Sequence, residues 1–104
     1  MKKNKLLDEI KKKLKKHYGT RLKEVVLFGS RARGESHEQS DYDVLVILNE
    51  PVNPARERRE TGDIIYKICW ENDVVISCHF LSHERYISEQ SPFLMNARRE
   101  GITL

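Results

Sequence analysis

Apolar and polar residues alternate with a helical period at the start of the chain. Apolar side chains recur there at steps of three and four residues, with lysines between them, which predicts an amphipathic helix over residues 3–18. Gly19 follows and is expected to end this helix. The apolar residues of the predicted stripe are Leu7, Ile10, Leu14 and Tyr18.

Three later segments have the pattern of strands. Residues 24–28 and 42–48 are short runs of β-branched, aliphatic and aromatic residues, which is the composition of buried strands. Residues 73–81 predict a third strand beginning at Asp73. Residues 31–40 carry almost no apolar side chains and are expected to form a surface turn with one helical start.

Helices are predicted between and after these strands. Asn53 and Pro54 form a cap followed by proline at the first helical position, and the helix they open carries an apolar stripe that we expect to bury Trp70 in the core. Gly62 is expected to weaken this helix. Two further helices are predicted, one capped by Ser82 and one running from Ser91-Pro92 to Gly101, and residues 102–104 are expected to form a tail or an edge strand.

The order of elements is helix, strand, strand, helix, strand, helix, helix. This order is typical of an α+β or α/β protein in which a small mixed sheet is flanked by helices. With 104 residues, of which 38% are hydrophobic, the chain is expected to form a single domain over residues 1–104.

Charge is unevenly distributed along the chain, whose net charge is +3. Residues 1–20 hold eight lysines against Asp8 and Glu9, a net charge of +6, and the rest is acidic. Such a segment could contact nucleic acid or an anionic partner, but a solvated helix face is the simpler interpretation, so we do not expect direct nucleic-acid binding.

The cellular compartment is expected to be the cytoplasm. No apolar run approaches the length of a membrane span, and no charged start leads into a short apolar stretch and a cleavage site. Two cysteines do not make a disulfide framework, so Cys69 and Cys78 are expected to be reduced.

Two carboxylates begin the second predicted strand. Side chains alternate faces along a strand, so Asp41 and Asp43 should point the same way and Tyr42 the other way. Two like charges on one face repel, and such a pair needs a cation, a shared proton or a basic group to offset the repulsion. Mg²⁺ prefers oxygen ligands and commonly takes one or two carboxylates plus phosphate oxygens.

A turn suited to phosphate lies at the end of the first predicted strand. Gly29 has no Cβ to obstruct a ligand, Ser30 offers a hydroxyl, and the backbone N–H groups that follow can bind an anion. Arg31 and Arg33 add positive charge suited to phosphate oxygens, and Gly34 lets the turn bend. Together with the carboxylate pair, this turn predicts a site for a metal-bound nucleoside triphosphate.

The segments Phe28-Gly29-Ser30-Arg31-Ala32-Arg33-Gly34 and Ser40-Asp41-Tyr42-Asp43-Val44 resemble the signature of the DNA polymerase β-like nucleotidyltransferases. They are most similar to the minimal nucleotidyltransferases that act as antitoxins beside HEPN-domain toxins. The resemblance implies that Gly29 and Ser30 bind the nucleotide and that Asp41 and Asp43 bind Mg²⁺ in a two-metal site, with ATP as the donor.

Many members of this family carry a third carboxylate on a neighbouring strand. Asp73 is the best match for that catalytic and metal-binding position, although an acid in the middle of the strand would fit better and Ser77 and His79 occupy that stretch. A turn residue at the start of a strand is the alternative role for Asp73. Glu71 is a weaker substitute. His79, without metal-ligand spacing around it, is expected to be a structural histidine.

Little of the chain follows the third predicted strand, so we expect another molecule to bring the acceptor. The resemblance implies a HEPN ribonuclease toxin as that molecule, with AMP transferred from ATP to a tyrosine hydroxyl. Two alternatives stay open. One is a binding antitoxin with weak or no turnover, and the other is a small-molecule nucleotidyltransferase of the aminoglycoside-modifying type, whose pocket would be completed by homo-oligomerisation.

Overall fold

The computed structural model describes residues 2–34 and 41–104, with side chains from residue 5 onward. The predicted turn over residues 31–40 therefore lies partly outside the described residues. The elements are α1 (Lys2–Tyr18), a 3₁₀ turn (Gly19–Arg21), β1 (Leu22–Phe28), α2 (Ser30–Arg33), β2 (Tyr42–Leu48), α3 (Pro54–Asn72), β3 (Ile76–Ser82), α4 (His83–Ser88), α5 (Pro92–Glu100) and β4 (Ile102–Thr103).

The strands form a mixed sheet with the order β3-β2-β1-β4. β1 pairs antiparallel with β2 and with β4, whereas β2 and β3 run parallel and are joined through α3. The register places Phe28, Asp43 and Ser77 side by side across three strands. The predicted fold class, a small mixed sheet flanked by helices, is confirmed.

Helices cover the two faces of the sheet to different extents. One face packs against α1 and α3 in a core that includes Leu14, Val44 and Ile68, all at most 1% exposed. On the other face, Leu94 and Ala97 of α5 pack against a smaller cluster of strand residues. Asp43 belongs to this second face and is only half-buried. The less covered face therefore carries the carboxylate.

Helix α1 agrees with its predicted bounds, and its lysines from Lys5 onward are exposed. Of the predicted stripe, Ile10, Leu14 and Tyr18 are buried and Leu7 is partly buried. Gly19, with φ of 60°, ends the helix as expected. The predicted caps of the later helices are also present: Asn53, Ser82 and Ser91 each accept a hydrogen bond from the backbone N–H three residues ahead. Among the described residues, no helix combines the length and apolar character of a membrane span.

Three details of the α3–β3 region differ from the sequence prediction. α3 continues through Gly62, because packing of one face against the core outweighs the glycine. The third strand begins at Ile76, since Asp73 adopts a left-handed conformation, φ of 52°, that ends α3. Trp70 is 79% exposed and not part of the core, because the helical repeat turns it away from buried Ile68.

A buried polar pair joins α1 to α3. The Tyr18 hydroxyl donates a 2.9 Å hydrogen bond to Oε1 of Glu57, a side chain only 5% exposed, and the Arg21 guanidinium lies 3.8 Å from Oε2. Burial raises the pKa of Tyr18, and its hydrogen bond to Glu57 raises it further. The hydroxyl therefore acts as a donor across the physiological range.

Removing this donor should destabilise the protein. In Tyr18→Phe the Glu57 carboxylate stays buried with one partner fewer, so we expect a loss of about 1–3 kcal/mol in the free energy of unfolding. Chemical denaturation of the wild type and the variant measures this loss. A change below about 0.5 kcal/mol, the range of ordinary surface substitutions, would contradict the role given to the pair.

Candidate functional site

The turn between β1 and α2 brings the two sequence motifs into contact. Gly29 has φ of 75° and ψ of −156°, and its carbonyl accepts hydrogen bonds from the N–H groups of Ala32 and Arg33 at 3.1 and 3.2 Å. A Cβ on Gly29 would stand 2.6 Å from Oδ2 of Asp43. The position therefore requires glycine for both its conformation and its closeness to the carboxylate.

Asp41 and Asp43 flank Tyr42 at the start of β2. Tyr42 is 5% exposed and packs in the core beneath α1 and α3, whereas Asp41 is exposed and Asp43 half-buried. The backbone N–H of Tyr42 donates to the carbonyl of Val75 at 2.9 Å, which fixes this end of β2 against the chain entering β3. The alternation expected from the sequence is present, with both carboxylates away from the tyrosine.

The electrostatic environment of Asp43 opposes its charge. Burial raises its pKa above the ordinary value and the nearby charge of Asp41 adds to this, while His79 lowers it. The carboxylate pair therefore carries the repulsion expected from its sequence spacing. A divalent cation bound by the carboxylates of both Asp41 and Asp43 would remove that repulsion.

The raised pKa predicts a pH effect on the metal-free protein. A group whose pKa is higher in the folded state than in the unfolded chain destabilises the fold at neutral pH, and this destabilisation disappears as the pH falls through its folded-state pKa. We therefore expect Asp43→Asn to raise the Tm of chelator-treated protein at pH 7 and to raise it less near pH 4. An equal gain at both values, measured by thermal unfolding, would contradict the assigned pKa shift.

The two arginines of the turn contact the surrounding scaffold. The Arg31 guanidinium lies 4.1 Å from the ring centroid of Tyr42, and Nη1 of Arg33 lies 3.4 Å from Oε2 of Glu100 in α5. Arg31 therefore anchors α2 to β2, and Arg33 anchors it to α5. Their expected contact with phosphate oxygens stays a prediction, because these contacts show how the turn is held and not what it binds.

The structure does not group Asp73 with the carboxylate pair. Asp73 ends α3, and no cluster of three His, Cys, Asp or Glu side chains suited to hold a metal occurs in residues 5–34 and 41–104. The neighbour of Asp43 on β3 is Ser77. Among the described residues, the metal-ligating carboxylates of the site are therefore Asp41 and Asp43, a set that fits Mg²⁺ when phosphate oxygens and water complete its shell.

An aromatic cluster beside Asp43 was not predicted. The rings of Phe28, His79 and Phe93 lie within 5.2–5.7 Å of one another, centroid to centroid. Phe28 and Ser77 flank Asp43, and His79 lies two residues beyond Ser77 on β3, so the cluster borders the site. The alternation of Ser77 and His79 was visible in the sequence, but the β2–β3 register that brings His79 near Asp43 was not.

Comparisons with known proteins find similarities in sequence and in fold. The family model described as "Nucleotidyltransferase domain" matches residues 7–102. A protein of Methanocaldococcus jannaschii named "Putative protein adenylyltransferase MJ1305" is 37% identical over 75 residues, covering 71% of this chain and 51% of that protein. "Putative protein adenylyltransferase MJ0141" of the same organism is 38% identical over 73 residues, covering 66% of this chain and 73% of that protein. The chain thus spans about half the length of the first relative.

Solved structures share the fold. A crystal structure of a toxin–antitoxin with AMP-PNP has a chain that superposes with a TM-score of 0.65 at 19% identity, covering 92% of this chain and 69% of the other. A mutant of the toxin–antitoxin MntA–HpeT gives a TM-score of 0.63 at 18% identity, covering 93% and 70%. At this level of identity the similarity shows a common fold.

Proposed function

Because the chain belongs to the nucleotidyltransferase domain family, we propose that it transfers AMP from ATP to a hydroxyl of a partner protein. The acceptor in this proposal is a tyrosine of a HEPN-domain toxin, the transfer neutralises that toxin, and the protein acts as a single domain in the cytoplasm. The contact of Gly29 with Asp43 carries the proposal, because it sets a phosphate-binding turn against a carboxylate pair. The names of the relatives and of the solved complexes support the protein acceptor.

The chemistry requires that the hydroxyl oxygen of the acceptor attack the α-phosphorus of ATP. The bond from that phosphorus to the oxygen leading to the β-phosphate breaks, pyrophosphate leaves, and the hydroxyl proton passes to solvent. When bound, two Mg²⁺ ions would stabilise the negative charge on the entering and leaving oxygens. Asp41 and Asp43 would hold these ions.

The α2 turn would hold the triphosphate in line. The N–H groups at the start of α2 and the Ser30 hydroxyl would contact phosphate oxygens, and Gly29 would let the ligand come close to the backbone. α2 is a single turn, so its dipole adds little and the individual N–H groups matter most. Arg31 and Arg33 keep the turn in place through Tyr42 and Glu100.

Intact-mass spectrometry of the partner tests the proposal. A HEPN-domain protein chosen as the candidate partner is incubated with the chain, ATP and Mg²⁺, and we expect a mass increase of one or more adenylyl groups that a chelator abolishes. Peptide mapping should place the group on tyrosine. No increase in the mass of the partner, or an equal increase with the Asp43→Ala variant, would contradict the proposal.

A second function is favoured because the described residues place no third carboxylate beside the pair. Since Ser77 stands beside Asp43 where an acid would complete the ligand set, the protein could instead neutralise its partner by stoichiometric association with slow or no turnover. Toxin activity measured with substoichiometric antitoxin separates the two functions. Transfer predicts complete neutralisation over time in the presence of ATP, whereas association predicts neutralisation only up to the molar ratio.

A further inference from the structure

A furrow runs along the outer edge of β3. A cavity of about 560 Å³ lies between α3 and β3, and its lining includes every residue of the segment 76–80. Successive strand residues point to opposite faces, so a cavity that touches all of them follows the strand edge and not one face. β3 is the terminal strand in the order β3-β2-β1-β4, and no described residue pairs with its outer side. We call this cavity the β3 furrow.

The β3 furrow reaches the candidate active site. Asp43 belongs to its lining although it lies on β2, one strand further in. Ser77 is the β3 residue beside Asp43, and its small side chain leaves the carboxylate accessible from the sheet edge. A group lying in the furrow can therefore reach the carboxylate pair without crossing the surface of α5.

The helix side of the β3 furrow carries an exposed aromatic side chain, and a second one lies just beyond it. Tyr66 of α3 lines the furrow and is 69% exposed, and Trp70, which lies outside the lining one turn further on the same side of the helix, is 79% exposed. Large exposed aromatic side chains are the residue types that dominate binding at protein interfaces, and their clustering marks an interaction surface. This stripe lies on the same helix as Arg58, which also lines the furrow.

We propose that the β3 furrow binds an extended segment of the partner protein, which pairs with β3 as an additional strand and places its acceptor hydroxyl at Asp43. This inference rests on the proposed function. An unpaired strand edge offers backbone donors and acceptors to an extended peptide, and the pockets beside it select alternate side chains. The seven residues of β3 (Ile76–Ser82) match a segment of about 20 Å.

The charges of the furrow favour a particular composition in that segment. Asp43 lies at the inner end, and the basic lining residue is Arg58, which also lines the next depression along β3, together with Arg85. An acidic residue on the partner, several positions from its tyrosine, would complement Arg58. A nucleic-acid strand fits less well, since its affinity depends on many phosphate contacts and the lining here is largely apolar.

Variants at the rim of the furrow test the inference. The double variant Tyr66→Ala/Trp70→Ala removes only exposed side chains, so we expect an unchanged Tm and unchanged Mg²⁺-ATP binding. The KM for the HEPN-domain partner of the transfer assay should rise at least 10-fold, with kcat at saturation altered less than about twofold. Ile87→Ala, at a side chain 58% exposed on α4, is the matched control and should leave KM unchanged. An unchanged KM in the double variant would overturn the inference.

A charge reversal tests the electrostatic component separately. Arg58→Glu should also raise this KM, and the effect should shrink as salt is added, whereas Arg59→Glu on the neighbouring exposed position should have little effect. Equal effects of the two variants would overturn the role given to Arg58.

Sedimentation tests whether a second copy of this chain occupies the furrow instead. If Tyr66→Ala/Trp70→Ala or Arg58→Glu altered self-association but not binding of the HEPN protein, the occupant would be a second copy and the inference would be wrong.

Hydrogen exchange tests strand addition itself. Outward-facing β3 amides should exchange more slowly when the HEPN protein is bound, while amides of β4, the opposite edge of the sheet, should not change. Protection confined to β4 would contradict the inference.

Failure of the docking site and failure of the proposed function give different results. If the wild type binds the partner through the furrow but transfers no AMP, the proposed function fails while the docking site stands. If the wild type transfers AMP and the rim variants have the same KM for the partner as the wild type, only the docking site fails.

Discussion

Gly29→Ala should abolish Mg²⁺-dependent ATP binding and AMP transfer, and it should also destabilise the fold. The new Cβ would stand 2.6 Å from Oδ2 of Asp43, so either the turn or the carboxylate must move. The φ of 75° adds backbone strain of about 1–3 kcal/mol for a residue with a side chain. For a domain of this size the Tm should fall by roughly 4–8 °C per kcal/mol. Calorimetry of ATP binding and thermal unfolding measure the two effects.

Gly19 provides the matched control. Its φ is 60°, also positive, but a Cβ there would meet no atom within 4 Å, and it lies in the 3₁₀ turn and not in the candidate site. Gly19→Ala should therefore lower the Tm through strain alone and leave ATP binding unchanged. If both variants bound ATP as well as the wild type does, Gly29 would not be part of the nucleotide-binding site.

Asp43→Asn should lower the rate of AMP transfer by about 10²- to 10³-fold, the range found when one stabilising group is removed from a charged transition state. The amide keeps the shape of the side chain but removes the charge that would hold Mg²⁺. Because burial raises the pKa of Asp43, the same substitution should stabilise the metal-free protein at pH 7. A loss of activity together with a gain in Tm would show that the variant has lost a metal-binding carboxylate and has not misfolded.

Asp73→Asn distinguishes the carboxylate pair from a three-carboxylate site. Asparagine tolerates the left-handed conformation at this position, so the end of α3 should be preserved. The described geometry does not group Asp73 with Asp41 and Asp43. We therefore expect a transfer rate within about threefold of the wild type, which corresponds to a change in activation free energy well below the roughly 1.4 kcal/mol of a tenfold effect. A loss as large as that of Asp43→Asn, in steady-state kinetics, would show that Asp73 reaches the site.

The elements that the sequence predicted best are those with a strong local pattern. The bounds of β2, 42–48, agree at both ends because an unbroken apolar run over residues 44–48 follows the alternating Tyr42 and Asp43, and polar residues precede and follow the strand. β3 was predicted to start three residues early. The apolar Val74 and Val75 resembled strand residues, but the N–H of Val74 bonds back to the carbonyl of Cys69 as part of the helix end.

The candidate site could be predicted only where it depended on one strand. The common direction of Asp41 and Asp43 follows from the alternation of side chains within β2. Their contact with Gly29 depends on the antiparallel register of β1 and β2, and the furrow depends on β3 being the last strand of the sheet. No local pattern specifies these pairings. The exposure of Trp70 was missed for a related reason, since only the packing of α3 shows which face is buried.

Paramagnetic NMR most directly tests whether Gly29 and the two aspartates form one metal–nucleotide site. In ¹⁵N-labelled protein with a non-hydrolysable ATP analogue, Mn²⁺ should broaden the amide signals of residues 29–33 and 41–43 first, and Asp43→Asn should remove the effect. Broadening that spared these residues and appeared instead along the lysine face of α1 or at the α3 end near Asp73 would contradict the account.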